Sequence, residues 1–164
     1  MKSGYIRSLD EITKDDVRVA GGKGANLGEM YRSKLPVPEA FVVTTKAYRA
    51  FAESNGLDGK LQERLKGIRM EDVGSVERGA AELRKMVESS DIPKDLEAEV
   101  ALAYRELGKK FGSEDLPVAV RSSATTEDLR DSSFAGQQIT MLNVKGSEEV
   151  LVAMRKCWAS VYTA

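Results

Sequence analysis

Two cationic side chains stand where a chain can hold an anion. Lys23 lies within Gly21-Gly22-Lys23-Gly24, just ahead of a stretch with helical spacing. Glycines let the backbone approach a ligand, the first amides of a helix lack partners within it, and a lysine adds a full charge. This combination suits a phosphate cradle. It also suits a plain helix start with a solvated lysine, and the GxxxxGK[ST] spacing of a Walker A loop is absent. Arg121 leaves the end of the apolar run 118–120 and precedes Ser122-Ser123-Ala124. A guanidinium held at a strand end can grip a phosphate through two parallel hydrogen bonds, and ligands gather beyond the carboxyl ends of strands. Pairing with Glu127 or Asp128 is the other reading of the same spacing.

A third candidate is Ser132-Ser133-Phe134-Ala135-Gly136-Gln137-Gln138. Small residues around Gly136 can lay amides along a polyphosphate, as anion nests do, with the Thr140 hydroxyl at the start of the next strand. Phe134 then covers a base or only anchors an ordinary loop. Glu127, Asp128 and Asp131 are carboxylates of a polar loop and read as solvated, not as magnesium ligands, because nothing fixes their geometry. Cys157 and Trp158 fall on an apolar helix face and read as packing residues.

Composition narrows the chemistry. The chain has 164 residues, 41% hydrophobic and 31% charged, as a soluble globular domain does. A net charge of -1 argues against an electrostatically driven nucleic-acid or membrane partner. There is no histidine, so no histidine base, Ser-His-Asp triad or phosphohistidine can arise within this chain. Its single cysteine excludes an internal disulfide and fits a reducing cytoplasm. No apolar run approaches the roughly 20 residues of a membrane helix, and Met1-Lys2-Ser3-Gly4-Tyr5 leads into no secretion-signal core.

Strands and helices must carry these residues. Residues 5–9 predict a short strand, and the glycine-rich turn opens a helix with Leu27, Met30 and Tyr31 on its inner face, ending before Pro36. Residues 41–43 predict a strand. Thr44 or Thr45 caps the next helix, which turns Tyr48, Phe51 and Ala52 inward and stops at Asn55-Gly56. The middle reads as helical: Val73, Val76, Ala80, Leu83 and Val87 share a face, as do Leu96, Val100, Ala103 and Leu107 after Pro93. Residues 117–120 predict a buried strand, 121–137 a loop and 139–144 a second strand. Gly146-Ser147 starts a last helix with Val150, Met154, Cys157, Trp158 and Val161 on one side. The chain stops directly after it, without a polar tail, and is expected to be part of something larger.

GGKGANLGEM (21–30), the Val-Pro turn before FVVT (41–44), VAVRSSATTEDL (118–129), SFAGQQ (133–138) and CWASVYTA (157–164) occur in an order that strongly resembles the N-terminal nucleotide-binding region of the phosphoenolpyruvate synthase (pyruvate, water dikinase) family. That family's relatives include pyruvate, phosphate dikinase and the rifampicin phosphotransferases. The resemblance covers essentially the whole chain. It departs at Pro38-Glu39-Ala40, where the family commonly has a Pro-Pro-Gly-like turn, and at Arg130-Asp131-Ser132, where Pro-Asp-Ala is more usual.

The resemblance implies an α/β fold in which helices pack on a small mixed sheet, forming the first lobe of an ATP-grasp domain. Residues 1–164 would be a partial N-terminal nucleotide-binding domain, with the second lobe and the phosphohistidine domain absent. It implies ATP accompanied by Mg2+. Lys23 and Arg121 would bind phosphate and serve as catalytic residues, and Gly136 and Thr140 would line the same polyphosphate. The parent reaction would convert ATP, pyruvate and water to phosphoenolpyruvate, AMP and phosphate through a histidine on another domain, so this chain alone is expected not to complete it. A rifampicin phosphotransferase or other dikinase lobe, a stand-alone nucleotide-binding module, and a remnant without ligand binding are the alternatives. Self-association through an apolar surface is a further expectation.

Overall fold

A computed structural model describes residues 4–125 and 139–162. The chain runs β1 (Ile6–Ser8), α1 (Val17–Arg32), β2 (Phe41–Val43), α2 (Thr45–Ser54), α3 (Leu57–Lys66), α4 (Val73–Glu88), α5 (Lys94–Lys110), β3 (Val118–Arg121), β4 (Thr140–Val144) and α6 (Ser147–Ala159), with two 3₁₀ turns between β1 and α1. The α/β class expected from the resemblance holds. The expected single mixed sheet does not: the described strands form two separate antiparallel pairs, β1 with β2 and β3 with β4. Three- to five-residue strands leave little ladder to extend, and helices supply most of the core.

That core gathers Phe51, Leu57, Leu61, Leu83, Val87, Leu96, Val100, Tyr104, Val144, Val150 and Met154. Phe51 is fully buried, its ring centre 4.8 Å from that of Trp158, which stands 5.5 Å from Tyr48 in an edge-on contact. Burying such a ring contributes roughly 1.5–3 kcal/mol relative to exposing it, and this aromatic cluster ties α2 to α6.

Several helical faces are rotated from their expected positions. The buried face of α1 is Ala20, Gly21, Gly22, Gly24, Ala25 and Gly28, while Met30 is exposed and Leu27 and Tyr31 are half-buried. Close approach explains it: a Cβ on Gly28 would lie 2.6 Å from the Ile12 side chain. In α5 the third inward residue is Tyr104, between Ala103 and Leu107, which are only half-buried. Val73 and Val161, expected inward, are 74% and 66% exposed; each lies at an element's end, past the packed turns. The β3 strand is half-buried, with Val118 and Val120 toward α6 and Ala119 and Arg121 outward. Thr44 occupies the cap position of α2, but its hydroxyl donates to the Gly4 carbonyl, and that of Thr45 to the Arg18 carbonyl. The α3 helix is additional to the expected elements, filling the span between Asn55-Gly56 and Val73. Among the described residues no helix is long and apolar enough to cross a membrane.

Candidate functional site

The glycine-rich turn is a break inside α1. Gly21 takes φ 70° and ψ 168°, a backbone conformation that L side chains rarely adopt. A fresh helical segment starts at Gly22, which puts Lys23 in its first turn. The amides there are not open, as the sequence suggested. Gly22 N–H donates to the Ala124 carbonyl at 3.0 Å, and Gly24 N–H donates to Ser123 Oγ at 3.0 Å. Lys23 Nζ donates to the Ser122 carbonyl at 3.4 Å. The segment leaving β3 therefore lies across the start of the helix. The cradle reading is corrected to this extent: protein acceptors already take the Gly22 and Gly24 donors.

Arg121 ends β3. Its register partner in β4 is Thr140, and both are exposed. Directly opposed residues of an antiparallel pair project to the same side, with Cβ atoms about 4.5–5.5 Å apart. The guanidinium and the hydroxyl thus share the outer face of the β3–β4 ribbon. Ser122 continues the pairing, its N–H donating to the Ile139 carbonyl at 3.2 Å.

A bulge sets this register. Val118 pairs with Val144 and Val120 with Met141, so Leu142 and Asn143 together oppose Ala119. Asn143 takes φ 57°, a left-handed conformation that asparagine tolerates better than most residues. The extra residue lets both Met141 and Val144 pack against the core while Thr140 stays outward.

Lys23, Arg121 and Thr140 are thereby brought to one corner of the fold. Gly136, Phe134, Glu127, Asp128 and Asp131 lie outside the described residues. Cys157 sits beneath β3, its Sγ 4.0 Å from the Val120 carbonyl. Burial pushes its thiol up to about 11, while the Lys23 ammonium acts in the opposite direction. That is the behaviour of a packing residue, not a nucleophile. Ser123 was not singled out from sequence. A hydroxyl beside a strand end is the only local sign of it, and its partners lie 99 and 103 residues away.

The sequence of residues 17–164 matches the family described as "Pyruvate phosphate dikinase, AMP/ATP-binding domain". The chain belongs to this family. The matched span opens at the first residue of α1 and takes in Lys23, Arg121, Gly136 and Thr140. Curated relatives include a probable phosphoenolpyruvate synthase of Methanocaldococcus jannaschii, 46% identical over 97% of this chain and 13% of that protein. Another, from Staphylothermus marinus, is 47% identical over 98% of this chain and 19% of its own length. The phosphoenolpyruvate synthase of Aquifex aeolicus is 45% identical over 94% and 19%. The chain thus spans under a quarter of the length of these phosphoenolpyruvate synthase relatives.

Proposed function

We propose that this chain is the ATP-binding lobe of a phosphoenolpyruvate synthase-like phosphotransferase. The observation that carries the reading is the meeting of Lys23 with the segment that follows Arg121, in a chain of an AMP/ATP-binding domain family. Phosphoryl transfer asks mainly for positioning and for neutralising charge on the phosphate oxygens. Lys23 supplies a point charge and Arg121 a planar fork. The Thr140 hydroxyl adds a donor on the same face as Arg121, and Gly136 lends its amide to the polyphosphate.

In this reading the lobe works with a second one, in the manner of an ATP-grasp enzyme. ATP, pyruvate and water become phosphoenolpyruvate, AMP and phosphate. Since the chain contains no histidine, the phosphate-carrying histidine belongs to another domain. Mg2+ enters as the partner of the nucleotide. Among the described residues no three of the histidine, cysteine or acidic side chains cluster as a metal site, so these residues do not hold a resident ion by themselves. A cytoplasmic setting and self-association complete the proposal.

Calorimetric titration with magnesium-ATP tests it. Binding that Arg121→Ala weakens by at least tenfold is expected, the scale of one preorganised cation lost from an anion site. Equal affinity of the wild type and Arg121→Ala would contradict the assignment.

A further inference from the structure

We propose that Ser123 is a positioning residue for the phosphate-binding pair, an inference that rests on the nucleotide-binding reading above. Its hydroxyl does two jobs at once. Oγ accepts the Gly24 N–H at 3.0 Å and donates to the Ala20 carbonyl at 2.9 Å. Those two backbone groups flank the break at Gly21, where the helical ladder is interrupted, and the Ser123 hydroxyl bridges them. A hydroxyl is both donor and acceptor at a single atom. An alanine can do neither job, and a carboxylate would face the Ala20 oxygen with like charge.

The consequence reaches both cations. Lys23 immediately precedes Gly24, and Arg121 lies two residues before Ser123. Three bonds tie one run to the other: Gly22 to Ala124, Lys23 to Ser122 and Gly24 to Ser123. The approach is so close that a Cβ on Gly21 would lie 2.5 Å from the Ser123 carbonyl oxygen. Ser123 therefore sets how the strand end bearing Arg121 sits on the helix start bearing Lys23. Its hydroxyl also takes the Gly24 amide that a bound phosphate would compete for, so the attraction for phosphate falls to the two side chains whose spacing Ser123 controls.

The test is a double-mutant cycle in magnesium-ATP binding, read by calorimetry below the melting temperature of every variant. Wild type, Ser123→Ala, Lys23→Met and the double variant are compared. Ser123→Ala is expected to weaken binding about tenfold in the wild-type background and less than about twofold once Lys23 is gone, because a spacing no longer matters when one of its ends is removed. Amide exchange at Gly24 should quicken in Ser123→Ala. A purely structural serine would lower the melting temperature and leave affinity alone, or weaken it equally in both backgrounds; either result overturns the inference. If the wild type binds and Ser123→Ala binds equally well, the positioning role fails while the nucleotide reading stands. If the wild type does not bind, both fail.

Discussion

The Tyr104 hydroxyl joins the two chain segments at the base of the β3–β4 ribbon: it accepts the Gly146 N–H at 2.8 Å and donates to the Leu116 carbonyl at 2.8 Å. Tyr104 is 2% exposed, and its partners lead into β3 and α6. The bond pair therefore holds the β3–β4 ribbon, with Arg121 at one end, against α5.

Tyr104→Phe keeps the ring and removes both bonds. It should cost about 1–3 kcal/mol, because a part-buried N–H and C=O each lose a partner. Urea denaturation reads this directly. An unchanged midpoint would show that water replaces the hydroxyl at no cost.

Gly21→Ala should be more damaging than its size implies. It combines a positive φ with overlap against the Ser123 backbone, and should lose more than about 2 kcal/mol. Gly56→Ala is the matched comparison: Gly56 also has a positive φ, 59°, but nothing lies within 4 Å of an added Cβ. It should cost only the conformational penalty, on the order of 1 kcal/mol. Equal losses in the two variants would contradict the close approach at Gly21.

Cys157 should be inert in the folded chain. Its thiol titrates near 11, against an ordinary value of 9.0, so at pH 8 a thiol reagent should react with it only as the protein unfolds. The sign of the linked stability follows. Between those two values the unfolded chain releases the proton and the folded chain keeps it, so stability falls as pH rises. Urea midpoints at pH 8 and pH 10 should differ more for the wild type than for Cys157→Ala. Identical differences would mean that the thiol is not protected by burial.

Much of the architecture was legible because it rests on local periodicity. Leu83 and Val87, or Leu96 and Val100, repeat at helical spacing, and all four are buried. Runs of β-branched and apolar residues mark the strands expected at 41–43 and 139–144, and the structure has them at Phe41–Val43 and Thr140–Val144. What went astray depended on close packing between distant parts. Glycines on α1 read as a flexible turn, yet Gly24 and Gly28 lie on its buried face, and at Gly28 only the absence of a side chain admits Ile12. The same limit hid Ser123, whose role exists only once residues about a hundred positions apart touch.

Read alone, the sequence establishes that the chain holds no histidine, that Lys23 lies in a glycine-rich run and Arg121 at the end of an apolar run, and where most helices fall. Composition and short-range spacing carry that information whatever the chain's final packing. The facing of Arg121 and Thr140 emerges from the three-dimensional packing, because one bulged residue at Asn143 sets the parity of the β4 strand. That packing also decides that the amides of Gly22 and Gly24 are occupied. Unsatisfied donors at a helix start take the nearest acceptors, and folding brings Ser123 and Ala124 there.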